Sequence, residues 1–353
     1  MNILYIGADP KSKGGISTIT KNYICFFNDF YDKKNFNVEF IFSYIEGKGI
    51  YKIKGFCKEF IKFFKKKKYI DIIHIHMSRG FSLVREGIFV ILSKIFGKKC
   101  IIHFHSGKFP SEYKNLNLIL KLYIKLIFNI CDYIICLNEE QKVLLKNISS
   151  KKIKIIENSI NNNIFNNYNS ESKEILFLGK VCKEKGVYDL INAISNINED
   201  QIKVNILGDG ELENLKILIK NKKLTEKCNV LGWVNNDVID KFLKRSCFLV
   251  LPSYHEGMPF SILEAMAYGL PIISTSIGSI PKIITENKNG FLINPGDIND
   301  LTEKIIILLK DKELRKFMSR NNKKCIDENY SMEKSMEDIF SVYKEVIKDE
   351  ENS

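Results

Sequence analysis

The 353 residues include one tryptophan, seven prolines and five histidines, with no Cys-x-x-Cys or Asp-x-Asp pair anywhere. So little proline, with twenty glycines in no period, excludes collagen-like and low-complexity chains. The nine cysteines stand mostly alone in apolar segments such as Lys99-Cys100-Ile101 and Ser246-Cys247-Phe248. That spacing offers no zinc module, and an odd number argues against a closed disulfide set. No apolar run approaches the roughly 20 residues that span a bilayer. Met1–Asp9 turns acidic too early for a secretory leader. These absences lead us to expect a soluble, cytoplasmic chain with free buried thiols. At about 150 residues per domain, its length suggests two domains.

Charge is present in excess and unevenly spread. The chain carries 54 Lys and Arg against 42 Asp and Glu. Residues 1–170 hold 28 basic and 13 acidic side chains, whereas residues 171–353 hold 26 and 29. A basic half of this kind suits a polyanionic partner: nucleic acid, an anionic membrane surface or a phosphorylated substrate. A lysine-rich composition alone would raise both halves. The excess sits in Tyr51–Lys68, where Ile53, Phe56, Phe60, Ile61, Phe63 and Phe64 share a helical face, and in Tyr113–Ile130, where Lys114, Lys121 and Lys125 accompany an apolar stripe. Both suit a lipid headgroup region or an ordinary solvated helix face. Nucleic acid is not expected, because no aromatic platform interleaves with the basic residues.

Short β-branched runs alternate with segments of helical length, which predicts parallel sheets covered on both faces. Strands are expected at Asn2–Ile6, Asn37–Phe42, Asp71–Ile75, Lys99–Phe104, Asp132–Leu137 and Lys152–Ile156. The Asn-rich stretch Glu157–Ser170 reads as a connection, after which strands recur from Glu174. We therefore expect an α/β protein of two doubly wound, Rossmann-like domains, residues 1–165 and 166–330, facing a ligand cleft. Residues 331–353 would form a helix returning to the first domain.

The densest chemical signal is Pro252-Ser-Tyr-His-Glu-Gly-Met-Pro-Phe-Ser-Ile-Leu-Glu-Ala, following the strand Cys247–Leu251. Gly257 turns the chain and Pro259 opens a helix. The unpaired amides of Met258, Pro259's successor Phe260, and Ser261 form an anion site at the helix start. Glu256 precedes the helix and Glu264 lies within it, so one carboxylate reaches a ligand beyond the tip and the other a group beside it.

This frame resembles the GT-B glycosyltransferases of family four, a retaining family whose signature, Glu-x7-Glu, is written here from Glu256 to Glu264. The resemblance continues in Lys13-Gly14-Gly15-Ile16, His103-Phe-His105-Ser-Gly107, Leu178-Gly179-Lys180 with Lys183-Glu-Lys185-Gly186, Leu207-Gly208-Asp-Gly-Glu211, Asn229–Val234 and Gly278-Ser-Ile-Pro281. It implies that Lys180 and Lys185 take the charge developing on the leaving phosphate, with no metal and no cofactor. Lys180 stands where the family usually has arginine. The resemblance further implies that Glu264 holds ribose hydroxyls, that Glu256 and His105 contact the donor sugar, and that Val234 reads the base edge. Gly14 and Gly15, with Gly179 and Gly208, would admit the donor's diphosphate closely. His255 would orient Glu256 or pack the loop, while His74, His76 and His103 read as core groups. The implied reaction is front-face, retaining transfer from a UDP-sugar to a surface glycan on a lipid carrier, at the inner face of the membrane. A nucleotide-sugar 2-epimerase shares the fold and is the alternative.

Overall fold

The computed structural model describes residues 1–29, 36–47, 50–106, 109–161, 168–199 and 201–351. Gly107 of the histidine loop, part of the Asn-rich connection and the side chain of Ile53 lie outside the described residues. The chain forms two compact units, Met1–Asn161 with Met332–Ser353, and Asn162–Ser331.

In the first unit, six strands alternate with helices: β1 (Asn2–Ala8), α1 (Gly15–Asp29), β2 (Asn37–Tyr44), α2 (Ile50–Lys66), β3 (Ile72–Met77), α3 (Phe81–Ile95), β4 (Lys99–Phe104), α4 (Phe109–Lys114), α5 (Leu118–Ile130), β5 (Tyr133–Cys136), α6 (Glu139–Ile148) and β6 (Ile153–Ile155). The strands pair in parallel in the order β2-β1-β3-β4-β5-β6. Because side chains alternate across a strand, Ile73, Ile75 and Met77 of β3 join Cys100, Ile102 and Phe104 of β4 in one buried core with Phe63, Phe89 and Phe128. The intervening residues, His74, His76 and His103, face the other way and are also buried. The expected helix across Tyr113–Ile130 is broken between α4 and α5. Asn117 accepts the amide hydrogen of Leu120 at 2.9 Å and caps a new helix there.

The second unit repeats the plan with β7 (Glu174–Leu178), α7 (Val187–Ser195), β8 (Lys203–Leu207), α8 (Leu212–Asn221), β9 (Cys228–Gly232), α9 (Asn236–Arg245), β10 (Phe248–Leu251), α10 (Phe260–Ala267), β11 (Ile272–Thr275), α11 (Ile280–Ile283), β12 (Gly290–Ile293), α12 (Ile298–Lys310) and α13 (Lys312–Cys325). Its parallel order, β12-β11-β10-β7-β8-β9, is that of a doubly wound sheet reversing between β7 and β10. Strands β7, β8, β10 and β11 are almost wholly buried, as double coverage requires. Helix α14 (Met332–Glu351) belongs to the first unit, where the Met332 amide donates to the Ile160 carbonyl at 3.1 Å. Among the described residues no helix is long and apolar enough to cross a membrane.

Candidate functional site

The strand order reverses between β7 and β10, and the carboxyl ends at such a reversal are the place where doubly wound sheets take ligands. Lys185 follows β7, Glu256 follows β10, and they meet there. Lys185 Nζ donates to Glu256 Oε1 at 2.5 Å, and Ser253 Oγ donates to the same oxygen at 2.8 Å. The Glu256 side chain is only 7% exposed.

Backbone ties explain why residues so far apart in the chain converge. The Tyr254 amide donates to the Glu184 carbonyl at 2.8 Å, and Tyr254 Oη donates to Asp189 at 2.7 Å. Gly186 has φ +71°, and a Cβ on it would lie 1.9 Å from the Pro252 carbonyl oxygen. Only glycine lets the lysine turn press so closely against the end of β10. On the other side of Glu256, the Ser279 amide donates to the Gly257 carbonyl at 2.9 Å. The Glu256 loop is therefore held between the loops after β7 and β11. Gly179 and Gly208 are equally close: the Gly179 amide bonds the Leu207 carbonyl at 3.0 Å, and a Cβ on Gly208 would lie 1.8 Å from the Gly179 carbonyl oxygen.

Pro259 occupies the N-cap of α10 without a side-chain cap, so the amides at the helix start are not consumed by the cap residue. Met258 and Pro259 are buried, whereas Phe260, Ser261 and Glu264 are half-buried on the opening turns. Lys180 is exposed after β7, and Val234 is half-buried beyond β9. His255, expected to orient Glu256 or to pack the loop, is exposed. Ser253 and Lys185 are the side chains bonded to Glu256 Oε1. Ser253 and Gly186 were missed in the sequence, although both lie inside quoted motifs.

In the first unit, Gly14 has φ +118° and is exposed, and Gly15 begins α1. His105 directly follows β4. It stacks on His103 with ring centroids 4.1 Å apart, and its Nε2 lies 2.9 Å from His76 Nδ1. A hydrogen-bonded line links Tyr5 to Tyr343 (2.5 Å), Tyr343 to His74 Nδ1 (2.6 Å) and His74 Nε2 to His103 Nδ1 (3.2 Å). Burial drives His74 and His105 down to about 3, and pushes His76 and His103 well below the usual imidazole range. The rings are thus held neutral. Among the described residues His76 Nε2 has no hydrogen-bond partner, so this core histidine is less completely satisfied than expected. Nitrogens of His74, His76 and His103 lie within 4.8 Å of one another. Both His74 nitrogens are already bonded, however, and its ring stacks on that of His76 instead of converging with it on a common point. This is a poor cation cage.

Residues 159–325 match the family model described as glycosyl transferases group 1. The chain is 33% identical over 218 residues to an uncharacterized glycosyltransferase of Methanocaldococcus jannaschii, a match covering 61% of this chain and 60% of that protein. It is 30% identical over 311 residues to the UDP-Gal:alpha-D-GlcNAc-diphosphoundecaprenol alpha-1,3-galactosyltransferase of Escherichia coli, covering 81% of this chain and 78% of that one. Among solved structures, Anabaena HepE in complex with UDP-glucose has the same fold, with a TM-score of 0.74 at 16% identity over 98% of this chain and 100% of that one.

Proposed function

From the premise that the chain belongs to the glycosyl transferases of group 1 and has the GT-B fold, we propose that it is a family-four enzyme transferring a sugar, with retention, from a UDP-sugar to a lipid-linked surface glycan. The observation that carries this reading is the Lys185–Glu256 pair, set at the strand reversal of the second unit beside the uncapped start of α10. Glu256 Oε1 is taken by Lys185 and Ser253, which leaves Oε2 for sugar hydroxyls. An ammonium has three donors, so Lys185 keeps two for a phosphate after bonding Glu256. Together with Lys180 and the amide hydrogens of Gly257, Phe260 and Ser261, it supplies fixed positive charge where the leaving diphosphate becomes more negative.

In this reading the leaving phosphate takes the acceptor hydroxyl's proton on the same face as bond formation, without a metal. Glu264 accepts from the ribose hydroxyls and Val234 borders the base. Gly14, Gly15 and His105 keep the donor roles that the family resemblance gives them. The diphosphoundecaprenol in the name of the E. coli relative supports a lipid-linked acceptor, and with it peripheral attachment at the inner, anionic membrane face. Both relatives named above carry the name of a glycosyltransferase, and no observation favours the epimerase alternative.

The test is a panel of sugar nucleotides scored by thermal shift and hydrolysis, with Glu264→Ala as control. UDP-sugars should stabilise the wild-type chain. The variant should bind them about tenfold or more weakly, the equivalent of ~1.4 kcal/mol for lost charge-assisted hydrogen bonds, with an unchanged melting temperature when no ligand is present. Equal affinity in the two proteins would remove Glu264 from the site.

A further inference from the structure

Helix α5 is apolar almost all round. Ile124, Ile127 and Phe128 are buried in the core, while Leu118, Ile119, Leu122 and Leu126 are 71%, 81%, 58% and 50% exposed. Helix α3 shows a second outward stripe, Phe81, Val84 and Ile88, with Phe81 89% exposed. The two helices touch. Tyr123 Oη donates to the Val84 carbonyl at 3.0 Å, and a Cβ on Gly87 would lie 2.1 Å from that hydroxyl. The stripes therefore belong to one helix pair and are not single exposed residues of the ordinary kind. Beside them opens a cavity of about 310 Å³, lined by Leu83, Phe109, Leu116 and Leu120 together with Arg79 and Glu112.

The charge on this face is predominantly basic. Lys114 and Lys125 are exposed and Lys121 is half-buried, and α5 contains no carboxylate. Glu112 is ion-paired with Arg79, and Glu86 of α3 is buried against Arg85 and Ser43. We propose that the α3–α5 face docks on an anionic lipid bilayer and that the adjoining cavity takes the end of one hydrocarbon chain. Hydrocarbon beneath a negative headgroup complements an aliphatic surface set among lysines. A second copy presenting the same face would oppose lysine to lysine. Nucleic acid would want aromatic platforms, and the exposed apolar residues of α5 are aliphatic. The proposal deepens the lipid-linked acceptor reading, on which the role of the cavity rests.

The experiment is co-sedimentation of the full chain with phosphatidylglycerol or phosphatidylcholine vesicles at low and high salt, with UDP binding measured on the same preparations. The wild-type chain should partition onto phosphatidylglycerol and be partly released by salt. The double variants Ile119→Ser/Leu122→Ser and Lys121→Glu/Lys125→Glu should each bind about tenfold less while retaining wild-type UDP affinity. Leu122→Trp supplies a second measurement: its added fluorescence should be quenched by brominated lipid, unlike that of the native Trp233. Wild-type protein left in the supernatant, undiminished binding by both double variants, an unquenched Leu122→Trp, or a lipid-free dimer that occludes the face would overturn the proposal. Vesicle binding without UDP binding would instead sink the transferase reading and leave the surface standing.

Discussion

Lys185→Ala is expected to lower donor turnover by about two to three orders of magnitude, the usual loss when one preorganised donor is removed from a site of developing negative charge. The substitution also strips the counter-charge from Glu256, whose side chain is 7% exposed and keeps only the Ser253 hydroxyl at Oε1. Leaving a charge of this kind without its partner costs on the order of 3–5 kcal/mol, so the variant should also melt earlier. The two effects separate in a double-mutant cycle. Glu256→Gln added to Lys185→Ala removes the stranded charge and should return most of the stability, while turnover stays low. Recovery of turnover along with stability would mean that Lys185 serves only to hold Glu256. Unchanged turnover in Lys185→Ala alone would remove it from the chemistry.

Acid should destabilise the first unit well before carboxylates titrate. His74 is held near 3 in the fold against an ordinary value of 6.5 in the unfolded chain. The unfolded state thus binds the extra proton, and stability rises with pH across that interval. The contribution is complete above about pH 6.5 and declines as pH falls toward 3. At pH 5 the loss from His74 alone is about 2 kcal/mol. His76 and His103 are shifted in the same direction, chiefly by burial and then by neighbouring histidines, and add to it. Urea melts followed by amide exchange in β3 and β4 should show a marked loss between pH 7 and pH 5. His103→Phe, which cannot bind a proton, should remove His103's share and make that dependence shallower, leaving the share of His74. A wild-type profile that is flat down to pH 5 would mean that the histidines accept protons inside the fold.

Much of this architecture is legible in the chain because its causes are local. β-branched runs produce the parallel strands, and the period of two puts His74 with His76 on one face of the sheet and His103 with His105 on the corresponding face of the next strand. The Glu-x7-Glu frame is likewise contained in a single loop and helix. What escapes is non-local. Tyr343, which bonds His74, lies 269 residues away in sequence. Gly186 reads as part of a lysine turn, and the carbonyl of Pro252, pressed against it, shows only in three dimensions. The break before α5 was obscured because Leu116 and Leu120 keep helical spacing across it, although the Asn117 cap was there to be read. The basic excess of the first half announces an anionic partner without indicating a surface. The α3–α5 face emerges only when the helices are seen side by side.

Titrating UDP into the chain with EDTA present, for wild type and Lys185→Ala, bears directly on whether protein cations hold the diphosphate. Wild-type affinity should be the same with and without the chelator and should fall about tenfold or more in the variant. A titration that is silent in EDTA and restored by magnesium or manganese, with Lys185→Ala matching wild type, would contradict the account.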